Sequence, residues 1–484
     1  MVILVIDIGS SSVRALLFDH QPKLIADAVV SHQHQFTTSP PGAATMDMIT
    51  LQSSVETCID EILTHPLASA IQVVGMATFV GNILGIDEAG KPITPVYTYA
   101  DTRSADDVEQ LRTSTNVRDA HQRTGCMTHT AYLPGRLSWL RRTEPELFSS
   151  VRRWLDVGTY LYSQWFGEAQ ASYSVSSWSG MLNRNQLEWD DGWLTLLGLD
   201  KAVFPILSDY NAVQAGLNPI YARRWSALKD TPFCLAVGDG AAANIGSGCI
   251  GDSYIALTVG TTAALRIAAP TMFPHVPDGL WDYRVTADLH LVGGATSEGG
   301  NIYHWLLNML GIAGKDLERQ LAQREADSHG LTFLPLLAGE RSPGWATDAT
   351  GAVVGLRLST IPIDILQAVL EGVALRLSVI AEQLSGIAKR NIVVVGGGGA
   401  LMSSPAWTQI IANAINLPIH VTSESEVTAR GVAILALAAL NQCSPSAEFP
   451  AITNIVYPQS GNVSKLKAAR QRQVELYSKL VVSK

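Results

Sequence analysis

The sequence predicts an α/β protein made of two duplicated domains, and three observations carry that prediction. Residues 2–19, VILVIDIGSSSVRALLFD, give a β-branched apolar run, a turn of Gly9 and three serines, and a second apolar run, which is the pattern of a β-hairpin. Residues 253–269, SYIALTVGTTAALRIAA, repeat the plan around Gly260, Thr261 and Thr262 about half a chain later, as a duplicated domain would. Between and after the hairpins, strand-like and helix-like patterns alternate.

A chain of 484 residues has room for two domains, each with a sizeable core. With 47% apolar and 16% charged residues it belongs with compact globular proteins. A net charge of -9 and the lack of a long basic run argue against a nucleic-acid partner. The densest basic stretch, 465–472, falls in a predicted C-terminal helix and reads as a solvated face. Cys58, Cys126, Cys234, Cys249 and Cys443 are scattered without metal-ligand spacing, and an odd number leaves no complete disulfide framework. A reduced cytoplasm is expected. The first apolar run meets Asp7 too soon, and lacks the basic flank, for a signal peptide. The apolar run 431–440 is too short to span a bilayer and predicts a buried helix, with no membrane partner.

In chain order, a third strand is expected near 24–30, followed by a Pro- and Thr-rich loop at 37–44. Leu51, Val55, Ile59 and Ile62 recur at helical spacing over 50–63. Strands follow at 72–77 and 83–87, the latter closed by a turn at 88–90. The stretch 101–221 is mostly helices and short loops, rich in tryptophan: Trp139, Trp154, Trp165, Trp178, Trp189 and Trp193. Such residues can wall a polar cleft or simply fill a core. Residues 233–251 run from a buried strand into a Gly/Ala-rich helix, and the domain boundary is expected there, giving domains 1–246 and 247–484. In the second half, Pro362 opens a long helix to 385, with Leu366, Val369, Val373, Leu377 and Ile380 on one face and Gly386 as its stop. A strand at 392–395 feeds Gly396 to Gly399 and a helix over 405–415.

The chemistry gathers at the turns. Small residues let backbone approach a ligand, so Gly9, Ser10, Ser11 and Ser12 suit a phosphate cradle, and Asp7 just before them suits a hydrated magnesium ion. The same residues also fit an ordinary hairpin whose Asp caps the turn. The second copy has Thr258 where the first has Asp7, so only one half carries the metal-side carboxylate. Asp239, between Gly238 and Gly240 at a strand end, could accept the proton of a substrate hydroxyl attacking a phosphoryl group, or could cap the helix that follows. Strand, glycines and helix at 392–415 form a nucleotide-binding arrangement, though without the spacing of a dinucleotide or Walker fingerprint.

Taken together these segments resemble the FGGY family of carbohydrate kinases over nearly the whole chain. The most specific piece is GAVVGL at 351–356, then Asp364-Ile365 and Ala368-Val369-Leu370-Glu371, which match the family's second signature. DIGSSSVRALLFD, the GDG around Asp239, VGTT at 259–262 and GGGGA at 396–400 stand in family order. YADTR at 99–103, RTGC at 123–126, GGATSEGGN at 293–301 and LAGERSP at 337–343 resemble the gluconate-kinase-like branch.

The resemblance implies two actin-like, ribonuclease-H-like domains with a cleft between them that closes to expel water. It implies ATP and Mg2+ as cofactors, Asp239 as catalytic base, and Asp7 with Asp239 as magnesium holders. Gly9 to Ser12, Arg14, Gly260, Thr261 and Thr262 would contact ATP phosphates, and Gly397, Gly398, Gly399 and Ala400 would lie along adenosine. Thr78, Phe79, Gly81, Asn82, Asp101, Arg103 and Asp239 would contact the acceptor. Family members often pair, so a homodimer is implied as well.

The departures concern substrate. Where the branch commonly reads Phe-Trp-His-Ser the chain has Phe79-Val80-Gly81-Asn82, so a sugar contact is missing or is supplied by Asn82. Gly240 follows Asp239 where ketose and glycerol kinases usually carry an amide. The first signature keeps Pro134, Leu137, Trp139 and Leu140 but has Arg136 where Lys is usual. A carboxylate-bearing acceptor needs a cationic or helix-terminal donor, for which Arg103 and Arg341 are candidates. His121, His129 and His304 are further polar candidates.

The expected function is a kinase moving the γ-phosphoryl group of ATP to a hydroxyl of a small sugar, sugar acid or polyol, gluconate-like acceptors leading and pentuloses such as xylulose or ribulose next. A nucleotide-switched actin-like assembly protein is the rival from another class. A repressor is disfavoured, since the chain opens on a core strand with no helix-turn-helix ahead of it.

Overall fold

The computed structural model describes residues 1–270, 273–311, 316–389, 391–443 and 449–482. By its contacts the chain divides into two compact units. The first comprises Met1–Gly248, Asp282–Leu291 and Glu426–Glu448, and the second Cys249–Trp281, Val292–Ser425 and Phe449–Lys484. The sequence reading gave two uninterrupted stretches; each unit draws on three.

The first unit is built on a five-stranded sheet of β1 (Val2–Ile8), β2 (Ser12–Asp19), β3 (Leu24–Gln33), β4 (Ile71–Thr78) and β5 (Val237–Gly238), in the order β5-β4-β1-β2-β3. β1, β2 and β3 form an antiparallel meander, whereas β1, β4 and β5 run parallel. β1 is buried at every residue, which is why it reads as an unbroken run of Val, Leu and Ile: both of its faces are covered. Leu4, Ile6 and Ile8 share a core with Leu51, Val55, Ile59 and Ile62 of the helix Met48–Ile62, whose N-cap Asp47 accepts from the Thr50 amide.

Helix Val427–Ala439 packs on β1 and β4 and against helix Asp239–Gly246. It is the buried helix expected from the run 431–440. The two helices cross backbone to backbone. A Cβ on Gly246 would stand 1.7 Å from the Val427 carbonyl oxygen, and one on Gly431 would stand 1.8 Å from that of Ala242. The aromatic stretch forms a separate cluster that includes Trp154 and Trp193, while Trp165 joins the sheet core.

The second sheet contains β6 (Tyr254–Val259), β7 (Ala263–Ala269), β8 (Trp281–Thr286), β9 (Leu289–Thr296), β10 (Val393–Gly397), β11 (Ile419–Thr422) and β12 (Ile452–Val456), ordered β8-β9-β7-β6-β10-β11-β12. β6 and β7 are the antiparallel hairpin, and β10 and β11 follow parallel to β6. The stretch β7-β6-β10-β11 thus repeats β2-β1-β4-β5, a hairpin followed by two parallel strands. Helix Pro362–Ile387 lays Leu366, Val369, Val373, Leu377 and Ile380 into this core.

Two details correct the sequence reading. Gly386 does not stop its helix, which continues to Ile387. The basic stretch 465–472 is not merely solvated: Lys465 pairs with Glu325 and Arg472 with Asp327, and Arg470 pairs with Glu382.

Candidate active site

Register brings the candidates of the first unit to one sheet edge. Ile8 pairs with Thr78 and Thr78 with Gly238, so the carboxyl ends of three parallel strands stand level. Open α/β sheets bind ligands beyond such ends. Asp7 lies one residue inside this edge and is buried. Burial raises its pKa above the ordinary carboxylate value, against the pull of Arg14, which is its register partner on β2 and its ion-pair partner. Arg14 also pairs with Glu426, so its charge is shared between two carboxylates.

The turn beyond β1 is braced from below. The Gly9 amide donates to the Ser12 carbonyl at 2.9 Å, and His34 Nε2 donates to the Gly9 carbonyl at 3.0 Å. Ser11 is exposed and Ser10 and Ser12 half-exposed, which leaves hydroxyls and amides open to solvent. Asp239 is the first residue of its helix, with Gly238 as the N-cap, so the capping role expected as its alternative falls to the glycine. Its Oδ1 accepts from the Gly240 amide at 2.7 Å.

The acceptor candidates prove unequal. The Phe79 amide donates to the Ile8 carbonyl at 2.7 Å, continuing the sheet, while its ring is buried. Thr78 is fully buried, and its hydroxyl donates to the Phe79 carbonyl at 3.1 Å. Asn82 is buried too. Its carbonyl oxygen accepts from the Val157 amide at 2.9 Å and its amide donates to the Phe79 carbonyl, so the side chain supports the loop. Asp101 accepts from the Ala44 amide and from Nε and Nη2 of Arg103. The Arg103 guanidinium lies over the Trp139 ring, 4.5 Å from its centroid, and is half-buried.

One aromatic pair escaped the sequence reading. The rings of Trp178 and Tyr283 stack at 3.8 Å, and the Tyr283 hydroxyl lies 2.5 Å from that of Tyr132. A Cβ on Gly238 would come within 2.9 Å of the Trp178 Nε1, so this glycine lets the stack sit beside Asp239. Tyr283 belongs to a strand far from Trp178 in sequence, and no periodicity links them.

In the second unit the turn after β6 is built alike. The Gly260 amide donates to the Thr262 carbonyl at 2.9 Å, and the Gly260 carbonyl accepts from the Gly300 amide at 2.6 Å. Thr261 and Thr262 are exposed. The copies differ in length: residues 9–12 separate the last paired residues of the first hairpin, residues 260–262 those of the second. GGATSEGGN is the brace of this turn, since a Cβ on Gly299 would stand 2.5 Å from the Thr262 carbonyl carbon. Within it, buried Glu298 accepts from the Ala338 amide at 2.8 Å, tying the brace to LAGERSP. Burial pushes its carboxyl up to about 7. Gly398 has a φ of 101°, and a Cβ there would lie 2.5 Å from the Val259 carbonyl oxygen, so the glycine-rich turn presses on the end of β6. Gly399 and Ala400 open the short helix Gly399–Ser403.

The further polar candidates differ in their surroundings. His129 Nδ1 accepts from the Ala131 amide at 3.1 Å, His121 is buried, and His304 is exposed. Arg341 lies 5.7 Å from the centroid of Trp281. Asp327, His329 and Glu371 bring ligand atoms within 4.8 Å of one another. His329 Nδ1 accepts from the Leu331 amide, which leaves the proton on Nε2, facing Glu371 at 3.0 Å. A metal at Nε2 would need a ring stripped of both protons, so this cluster is a buried structural pair. Glu371, the last residue of the second signature, also accepts from Gln367 and the Asp327 amide.

Two family models match the chain in two uninterrupted stretches. Residues 2–246 match the model of the N-terminal domain of the FGGY family of carbohydrate kinases, and residues 251–440 match that of its C-terminal domain. A gluconokinase of Bacillus subtilis (strain 168) is 26% identical over 476 residues, covering 93% of this chain and 89% of that protein. The crystal structure of a ligand-bound xylulose kinase from Lactobacillus acidophilus superposes with a TM-score of 0.92 at 24% identity, covering 99% of this chain and 98% of that one. A gluconate kinase structure from the same organism gives a TM-score of 0.91 at 24% identity, with the same coverage. At this identity the structures establish the fold.

Proposed function

Because the chain belongs to the FGGY family of carbohydrate kinases, whose two models together take in residues 2–246 and 251–440, we propose that it phosphorylates a gluconate-like sugar acid with Asp239 as the base. The broader activity, ATP-dependent phosphoryl transfer to a carbohydrate hydroxyl, goes with the family. The observation that carries the assignment of Asp239 is its position, half-buried beside Gly238 at the level edge of β1, β4 and β5, with the capping role left to the glycine. A carboxylate there can take the acceptor's hydroxyl proton as that oxygen attacks the γ-phosphorus, a contribution of about 10²- to 10⁴-fold.

On this reading the two hairpin turns hold phosphate oxygens through exposed amides and the hydroxyls of Ser11, Thr261 and Thr262. Arg14 contributes charge there while shared with Asp7 and Glu426. Gly397 to Ala400 lie along adenosine. Asp7 and Asp239 fit a magnesium ion, since both offer hard carboxylate oxygens and burial strains the ionised form of Asp7 even beside Arg14. Bound there, magnesium would neutralise charge on the phosphates.

The gluconokinase relative supports a sugar acid, and Arg103, stacked on Trp139, offers a preorganised cation for its carboxylate. Thr78, Phe79, Gly81 and Asn82 shape the acceptor side largely through backbone, with Asp101 orienting Arg103. The fold shared with a xylulose kinase supports a pentulose as the second reading. Domains 1–246 and 247–484, a homodimer and a cytoplasmic location complete the proposal; the five free cysteines, four of them buried, suit a reducing compartment.

ADP release with Mg-ATP across gluconate, xylulose, ribulose and glycerol tests the acceptor. Gluconate should respond most strongly. A xylulose response without gluconate turnover would transfer the assignment to pentulose kinases. Asp239→Asn should keep ATP affinity and remove turnover by about 10²-fold or more. A variant that kept most of its rate would remove Asp239 from the role of base.

A further inference from the structure

We infer that Arg136 is a positioning residue for the acceptor, holding in register three separate segments that would grip the sugar; this rests on the acceptor reading given above. Arg136 stands in the first turn of helix Leu133–Thr143 and is 1% exposed. Its Nη1 donates to the Gly81 carbonyl at 2.9 Å, and its Nη2 donates to the carbonyls of Thr98 at 2.6 Å and Thr130 at 3.0 Å.

Each carbonyl belongs to a different segment. Gly81 sits in the 79–82 turn beyond β4. Thr98 precedes Asp101 and Arg103, and its hydroxyl donates to the Ala44 carbonyl while Asp101 accepts from the Ala44 amide. Thr130 lies between His129 and Tyr132, the residue bonded to Tyr283 of the aromatic stack. The 79–82 turn is already pressed against 128–132, since a Cβ on Gly81, at φ 67°, would lie 2.9 Å from the Ala131 carbonyl oxygen.

The three bonds use a guanidinium's particular shape. A planar fork can reach carbonyls in several directions from one fixed centre, whereas an ammonium offers a single nitrogen on a flexible stem. All three of these bonds go to backbone carbonyls, and burial lowers the pKa of Arg136 to about 10. A cation buried against backbone carbonyls is a costly way to fill space, and replacing it by a neutral side chain would take this donor from the Gly81 and Thr130 carbonyls. The Thr98 carbonyl also accepts from the Asp101 amide at 3.1 Å, so the guanidinium joins that turn to the other two segments and fixes the spacing between the loops bearing Asn82, Arg103 and Tyr132.

The test is Arg136→Lys, which keeps charge and approximate length but not the fork; Arg136→Met is expected to lose too much stability to be informative. The readouts are KM for the best acceptor of the panel, KM for ATP, the thermal unfolding midpoint, and hydrogen exchange of backbone amides. The expected result is an acceptor KM raised about tenfold or more with ATP KM within about twofold. Amides of 79–82, 98–103 and 128–132 should exchange faster together, with those of helix Met48–Ile62 unchanged. Wild-type KM and exchange in the variant would overturn the inference. So would a parallel rise in both KM values with a fall in midpoint, the mark of a general packing role. If no sugar responds in the wild type, the acceptor reading fails by itself. The exchange pattern then still decides: joint loosening of the three segments supports the positioning role, and an unchanged pattern overturns it.

Discussion

Gly398 shows how much of a turn's path can depend on a missing side chain. Its φ of 101° suits glycine, and the site of a Cβ is 2.5 Å from the Val259 carbonyl oxygen. Gly398→Val should therefore push the glycine-rich turn away from β6 and weaken ATP binding by about tenfold or more, a factor that corresponds to roughly 1.4 kcal/mol. Calorimetric titration with ATP checks this, and wild-type affinity would remove Gly398 from the nucleotide wall. The turns themselves were legible in the sequence because turn chemistry is local: Gly9, Ser11, Gly260, Thr261 and Gly398 set the backbone path through their own residue type. For Asn82 the sequence gives the residue type and not its partners, which are Phe79 and Val157. His34 was missed, and Arg136 was noted only as a departure from the first signature, for the same reason. Each bonds a carbonyl far along the chain, and nothing in the local pattern announces it.

Elements were read better than their ends. Helix Pro405–Ile415 has the bounds its pattern predicts, with Pro405 at the first position and Ser404 capping through the Trp407 amide. Helix Pro362–Ile387 outran Gly386 because a glycine near the end of a well-buried helix costs only about 1 kcal/mol, less than the packing gained around it. The loops were harder. GGATSEGGN and LAGERSP stood out as motifs, but the tie between them is a single buried carboxylate, Glu298. Burial first, and the nearby Glu340 to a lesser degree, raise its pKa to about 7 from an ordinary 4.5, against the backbone amides that lower it. Between those values the folded state holds a proton that the unfolded state has released. This group's contribution to stability is therefore greatest below the ordinary value and declines as pH rises through about 7. Glu298→Gln keeps an acceptor for the Ala338 amide and cannot ionise. Its unfolding midpoint should fall less than that of the wild type between about pH 5 and about pH 8. Parallel curves for the two proteins would count against a titrating Glu298.

At the scale of the whole molecule, each compact unit is completed by chain that lies far away in sequence. The hairpin duplication was legible because two similar strings can be laid side by side. The return of Asp282–Leu291 and Glu426–Glu448 to the first unit was not, since both segments look like ordinary strand and helix. The backbone crossing at Gly246 and Gly431 is where that return is most exacting. Gly431→Val should destabilise the protein by about 2 kcal/mol or more, because the added carbons have no space beside Ala242. Urea unfolding followed by tryptophan fluorescence measures it, and an unchanged midpoint would mean that the helices can separate cheaply. The same crossing has a consequence for biosynthesis. A ribosome delivers β1 through β5 long before it delivers helix Val427–Ala439, so the nascent sheet must wait with one face uncovered while nearly two hundred further residues are made. The protein therefore depends on whatever shields that face during translation, and its yield in a cell should track elongation speed and chaperone supply as much as the stability of the finished fold.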